Sequence, residues 1–287
     1  MNNYEAKVQE QVAKFSTCSL REIEAATTAK RVAWFQRQDF QQGGVTPRAA
    51  FESLFFDYMG VPPDDLPVIA ESQDQITWQS RNPCPTLDAC LRTGRDTRRV
   101  CRGAYEKSTQ AFLSQIDPQL RFWRSYQEIR PYADHCLESI TRIDFEHWMR
   151  AAIGEAKTSR QEGNKGYGAV IVQGGRLVAA AHDTAATAGD PSLHAEVNAI
   201  RQAVQAGGDA NLSGAVLFST CEPCPMCSAL AVWANLTTIV YGASIEETAR
   251  LGKARIRLSA QEVVEKSPVW LEVIGDVLGK ECTDLYR

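Results

Sequence analysis

The sequence predicts an α/β fold in its second half, preceded by a mainly helical first half. From Asp144 onward, strand-like runs alternate with helix-like runs, the pattern of a sheet covered by helices. Within that half, the glycine pair of GYGAVIVQGGRLVAAAHDT joins two strand-like runs as a hairpin does. Before residue 140 helical spacing dominates, interrupted at VPPDDLP (61–67) and NPCP (82–85). A chain of 287 residues is long for one compact unit, so two domains are expected, 1–143 and 144–287.

Taken in order, TPRAAFESLFFDYMG (46–60) reads as a helix with Thr46 as N-cap, Pro47 at the first helical position and Gly60 as its end. DQITWQSR reads as a short strand, and TLDACLRTG as a helix from a Thr86 cap to Gly94. In the second half, FEHWMRAAIGEAK sets Phe145, Trp148, Met149, Ala152, Ile153 and Ala156 on one helical stripe. The hairpin turns at Gly174 and Gly175. Asp190 and Pro191 read as a helix start, which HAEVNAIRQAV continues to Gly207. AVLFST is a buried strand, PCPMCSALAVWANL a helix and TTIVYGAS a strand; WLEVIGDV and LGKECTDLY close the chain as strand and helix. Strands separated by helices run parallel through crossovers, so the later strands are expected to be parallel.

Composition narrows the function classes. With 44% hydrophobic and 23% charged residues the chain can build an ordinary core. Net charge is −4, and from Asp144 onward 13 Lys and Arg face 17 Asp and Glu, again −4, so the basic footprint of a nucleic-acid binder is missing. ARLGKARIR (249–257) is the main basic cluster there, and a solvated helix face accounts for it as well as a pocket rim does. No apolar run approaches the roughly 18 residues of a membrane span. The opening MNNYEAKVQEQVAKF has no apolar core of the kind a secretory signal needs. Nine cysteines, an odd number spread over both halves, suit reduced thiols and a cytoplasmic setting.

The chemistry concentrates in STCEPCPMCSALAVWA (219–234). Cys224 and Cys227 are three residues apart where a helix begins, and the free N–H groups of that helix start favour thiolates. A redox pair and a metal site both fit that motif alone. Thirty residues earlier, DPSLHAEVNAIR places His194 and Glu196 two apart at another helix start. Side chains so spaced diverge, which makes one a ligand and the other a neighbouring acid. His194, Cys224 and Cys227 then give three ligands to a zinc ion with its fourth position open, the catalytic arrangement. His-x-Glu followed by Pro-Cys-x-x-Cys is the known signature of zinc deaminases. Around this set, Cys221 reads as a packed thiol, Glu222 as a group that orients the following turn, and His182 as structural.

On HAEVNAIR, LFSTCEPCPMCSALAVWA and the ending VIGDVLGKECTDLY, residues 144–287 resemble the cytidine deaminase superfamily, in its cytosine, guanine and tRNA-adenosine deaminase branch. The resemblance implies a three-layer α/β/α sandwich with a five-stranded mixed sheet. It implies a zinc-dependent aminohydrolase acting on a cyclic amidine, with Glu196 moving the protons as ammonia leaves. It also implies main-chain contacts near Ala195, a homodimer and, at Trp233, an aromatic or apolar side chain close to substrate, although the spacing of Trp233 on its helix equally suits a core residue. Members usually carry Asn about eleven residues before the zinc histidine, where it contacts the base; here that position is Asp183. An ionised Asp only accepts hydrogen bonds, so the substrate face it meets should be rich in N–H donors, as in guanine or an aminated ring. A small heterocycle is the expected substrate, with tRNA adenosine, or a non-catalytic zinc protein with a sensing first domain, as the alternatives.

In the first half, Cys84, Cys90, Cys101 and Cys136 are separated by 5, 10 and 34 residues, which matches no compact ligand pair. Packed thiols are expected, with a second metal or iron–sulfur site as the alternative. NPCPTLDACLRTGRDTRRVCRGAY is similar, over a short stretch, to a cysteine-containing domain of bacterial L-2-amino-thiazoline-4-carboxylic acid hydrolase-like proteins, and no catalytic residue follows from it. Arg92, Arg95, Arg98, Arg99 and Arg102 fall within eleven residues and read as a solvated helix face or an anion site.

Overall fold

The computed structural model describes residues 3–38, 45–254, 256–267 and 269–287. It divides into two compact units, Met1–Ile143 and Asp144–Arg287.

The first unit is mainly helical by length but is built around a sheet. Helices α1 (Asn3–Thr17), α2 (Leu20–Phe35) and α3 (Pro47–Glu52) precede strands β1 (Val68–Glu71) and β2 (Gln75–Ser80). Then come α4 (Pro85–Thr93), α5 (Thr97–Cys101), α6 (Lys107–Ile116), β3 (Leu120–Arg124) and β4 (Cys136–Arg142). The four strands pair antiparallel in the order β1-β2-β4-β3. Thr46 caps α3, accepting from the Ala49 amide, with Pro47 at the first helical position. After Glu52 the helix widens into a π-helical turn over Ser53–Tyr58 before Gly60 turns left-handed. The expected Thr86 cap is displaced: Pro85 occupies the first helical position of α4, so the cap is Cys84, whose sulfur accepts from the Leu87 amide. A core of Phe51, Leu54, Trp78, Phe112, Leu113 and Phe122 joins α3, the π turn and α6 to the sheet.

The second unit opens with α7 (Phe145–Gln161), capped by Asp144. The hairpin β5 (Gly168–Gln173) and β6 (Arg176–His182) turns at Gly174 and Gly175, both at positive φ. There follow α8 (Ala185–Ala188), α9 (Ala195–Gly207), β7 (Ala215–Cys221), α10 (Pro225–Trp233), β8 (Thr238–Ala243), α11 (Ile245–Arg250), α12 (Ala260–Glu265), β9 (Glu272–Ile274) and α13 (Gly279–Asp284). The sheet order is β6-β5-β7-β8-β9, antiparallel on the hairpin side and parallel from β7 to β9. Strand β7 is buried throughout, as befits the centre of a sheet covered on both faces. On one face Ala169, Ile171, Leu217 and Ile239 pack against Ala199 and Ile200 of α9, Ala231 of α10 and Val264 of α12. On the other, Phe145 of α7 meets Phe218 edge-on. Gly168 allows that second face to close, since a Cβ there would lie 2.1 Å from the Ala152 carbonyl oxygen. The result is the three-layer α/β/α sandwich with a five-stranded mixed sheet.

Two local expectations change. Helix α9 starts at Ala195 rather than at Asp190, because the Asp190 carboxylate accepts from the Ser192 amide and hydroxyl and ties residues 190–192 into a turn. In ARLGKARIR only the first two residues are helical, and Arg255 lies outside the described residues. Among the described residues, no helix is long and apolar enough to cross a membrane.

Candidate metal centre and active site

Both helix starts that face the end of β7 begin on a candidate ligand. His194 is the N-cap of α9 and Cys224 the N-cap of α10, each with extended backbone and no side-chain cap bond. Pro225 takes the first helical position of α10, which puts Cys227 one turn inside. The extended cap swings the imidazole away from the path of α9 and toward the sulfurs. His194 Nδ1 lies 3.7 Å from Cys224 Sγ and 3.5 Å from Cys227 Sγ, and the two sulfurs are 3.6 Å apart. A tetrahedral zinc at about 2.3 Å from sulfur and about 2.0 Å from nitrogen requires separations of about 3.8 Å between sulfurs and about 3.5 Å from sulfur to nitrogen. The donors therefore already stand at zinc-ligand spacing. Among the described residues this is the one group of three or more such side chains close enough to share an ion. Cys84, Cys90, Cys101 and Cys136 form no such group, and all nine cysteines are free thiols.

The electrostatics match the geometry. Cys224 is pulled down to about 4, chiefly by its contact with Cys227 and, against the effect of burial, by His194. Cys227 moves the opposite way, pushed up by that same contact and by burial. His194 is raised by Cys224 against burial, with Glu196 and Asp183 adding to the effect.

Glu196, 6% exposed, sits beside this group. Its Oε2 is 3.6 Å from Cys227 Sγ, and its Oε1 accepts from Ser219 Oγ at 3.2 Å. Burial pushes its carboxyl above the ordinary range. Ser219 escaped the sequence reading; a hydroxyl on a wholly buried strand, AVLFST, was the available signal. Asp183 is fully buried where β6 ends. Its Oδ1 accepts from the Ala185 amide at 3.3 Å, while Oδ2 has no protein partner. The loop that carries it is fastened by Asn198, whose side-chain amide donates to the carbonyls of His182 and Leu193 and to Thr184 Oγ1. Ala195 is wholly buried at the first position of α9. Trp233 is 73% exposed at the end of α10, which excludes a core role and leaves it outside the donor cluster.

The remaining neighbours are structural. Glu222 accepts from the amides of Ile245 and Ala260, both at 2.9 Å, and so holds the starts of α11 and α12. Cys221 is buried 3.8 Å from Thr248 Oγ1 and is not one of the three donors. His182 lies between Glu155 (2.8 Å) and Glu162 (2.9 Å).

His194, Cys224 and Cys227, three donors at tetrahedral spacing, could hold a zinc ion between them. An adjoining buried acid on an α/β/α sandwich narrows the class to hydrolytic deaminases. Comparison with known proteins agrees. Residues 143–243 match the family described as the cytidine and deoxycytidylate deaminase zinc-binding region. A tRNA-specific adenosine deaminase of Bacillus subtilis (strain 168) is 34% identical over 137 residues, 48% of this chain and 83% of that protein. A guanine deaminase from the same organism is 35% identical over 111 residues, 38% of this chain and 71% of that protein. A solved structure from work on A-to-I editing by tRNA:A34 deaminases covers 48% of this chain and 98% of its own at 28% identity, with a TM-score of 0.43. The chain belongs, through its second half, to the cytidine deaminase superfamily. It is an aminohydrolase whose cofactor is zinc.

Proposed function

We propose that this enzyme deaminates a small amino-heterocycle, a nucleobase, nucleoside or related ring, and releases ammonia. In this reading His194, Cys224 and Cys227 hold the zinc and Glu196 moves the protons. The observation that carries it is the buried Glu196 carboxyl 3.6 Å from a ligand sulfur, a position for which a purely structural zinc site has no use. Zinc, when bound, supplies the Lewis acidity that lets water attack at neutral pH. Two thiolates and an imidazole offset the charge of the ion, so that help is incomplete and a base must take up the water's proton. Glu196 takes it on a carboxylate oxygen and passes it to the ring nitrogen as the water's oxygen bonds to the amino-bearing carbon. It then takes the proton of that new hydroxyl and delivers it to the amine, so the C–N bond breaks, ammonia leaves and a carbonyl remains. Ser219 steadies one oxygen of Glu196 and leaves the other for that transfer.

Asp183, with one carboxylate oxygen buried and unpaired, is proposed to meet an N–H-rich edge of the substrate. The main chain at Ala195 lines the reacting centre, and Trp233 offers an exposed stacking face. Homodimer formation and a cytoplasmic setting belong to the same proposal. A tRNA substrate is the second reading, favoured by relatives at 34% and 37% identity that are named tRNA-specific adenosine deaminases. The unit's acidic balance weighs against it. The test is ammonia release from guanine, cytosine, adenine, their nucleosides and aminated triazines, with inosine formation in tRNA transcripts alongside. Turnover of a free ring supports the first reading. Inosine alone, lost steeply with salt, supports the second. Silence across the panel from zinc-loaded protein overturns both.

A further inference from the structure

The first unit contains a cavity of about 430 Å³, within the size range of small-molecule sites. Its walls include Ile23, Leu54, Phe55 and Met59, so its body is largely apolar. Into that wall the chain places Arg31 of α2, only 7% exposed. Nη1 donates to Thr109 Oγ1 at 2.6 Å, Ser108 Oγ at 2.9 Å and the Tyr105 carbonyl at 3.5 Å, and the Tyr58 hydroxyl of the same wall also lies within reach of the guanidinium. These acceptors are all neutral. Nε is buried and donates to nothing.

A buried guanidinium without a carboxylate is costly, by several kcal/mol for an uncompensated ion, and such groups are ordinarily paired. The acids near the cavity are engaged elsewhere. Glu10 pairs with Lys14 at 2.7 Å, and Glu22 closes the capping box of Ser19. Arg124, the other arginine in the wall, is neutralised by Glu138, which is 2% exposed and hydrogen-bonded to Arg124 Nε at 2.6 Å. One buried positive charge is therefore left over, beside an apolar space.

We infer that this cavity is a binding site for a small organic monoanion, whose charged group pairs with the free side of Arg31 and whose apolar body fills the space against Leu54 and Phe55. A carboxylate fits best, because its two oxygens match the paired donors along one side of a guanidinium. A phosphate dianion would want a second buried cation, but Arg124 is already spent on Glu138, Lys14 on Glu10, and Lys30, the remaining cation of the wall, is exposed to solvent. Burial lowers Arg31 to about 10, so the guanidinium stays charged at neutral pH. Cys84 and Cys101 also line the cavity, but burial pushes both thiols up, which makes them wall rather than nucleophiles.

The test is calorimetric titration of the full zinc-loaded chain with a panel of short-chain and aromatic monocarboxylates, benzoate among them, and with inorganic phosphate. Wild type should bind at least one carboxylate at millimolar or lower concentration, and more tightly than phosphate. Arg31→Gln, which keeps a donor toward Thr109 but no charge, should weaken that binding by about tenfold or more. Ala26→Trp, from the same helix, should block the space without touching Arg31, which keeps the test open if the first variant folds poorly. Binding unchanged in folded Arg31→Gln or in Ala26→Trp, phosphate preferred over every carboxylate, or no carboxylate bound by wild type would overturn the assignment.

Discussion

Glu196→Gln isolates the proposed chemistry, because it preserves shape and removes the carboxylate's capacity to take up and give a proton. The amide oxygen can still accept from Ser219, 3.2 Å away in the wild type, and the amide nitrogen can donate toward the Cys227 sulfur at 3.6 Å. Zinc content should therefore stay at the wild-type level. What disappears is general acid–base catalysis, worth about 10²- to 10⁴-fold. At 1.36 kcal/mol per tenfold, that is roughly 2.7 to 5.4 kcal/mol of barrier. Elemental analysis of the purified variant and ammonia release on the best substrate of the panel give the two readings. Turnover within about tenfold of wild type at full zinc content would refute the proton-moving role. Loss of zinc together with activity would instead make Glu196 a holder of the cluster.

Cys227→Ala, at a wholly buried position, should lose zinc and activity together, whereas Cys221→Ala should keep both; the reverse pattern in elemental analysis would reassign the ligands. Burial opposes the charged form of His182, but its hydrogen bonds with Glu155 and Glu162 prevail and raise it above its ordinary value. A raised folded value means the imidazolium's stabilisation is fully present below the unfolded pKa of about 6.5 and fades as pH rises through the folded one. The stability gap between wild type and His182→Gln in urea titrations should narrow with rising pH, and a gap independent of pH would contradict this. Gly168→Ala drives a Cβ to 2.1 Å from the Ala152 carbonyl oxygen and 2.4 Å from the Ala156 nitrogen, so it should cost about 1–3 kcal/mol or more in the same titration. A midpoint unchanged from wild type would mean that α7 shifts freely over β5.

The second unit was legible because its signals are local. Gly174 and Gly175 announce the hairpin, and the apolar run of β7 announces a strand buried on both faces. Among the strands of the first unit only β2 was readable, since it alone alternates cleanly between buried and half-buried positions. Strand β4 has four consecutive buried residues, among them Glu138, whose burial depends on Arg124 from β3. A charge compensated from another strand cannot be recognised in a single stretch of sequence. The arginine run from Arg92 to Arg102 was ambiguous for the same reason. Arg92 pairs with Glu5, Arg98 lies over the Tyr132 ring and Arg102 over Tyr126, partners that folding alone supplies. At the site, the three donors that stand within reach of one ion could be read from spacing, while Ser219 and Asn198 needed the fold to bring their partners to them.

His194 and Cys224 stand where most helices keep a serine, threonine or aspartate to quiet their opening amides, and neither residue does that work. Two helices thus begin with their first turns unsecured by their own side chains, and both beginnings meet at one spot. An ion drawn to those residues would knit the two ends to each other. Stripping it with a chelator should release both together, so amide exchange in the opening turns of α9 and α10 should quicken in step, well ahead of the sheet behind them.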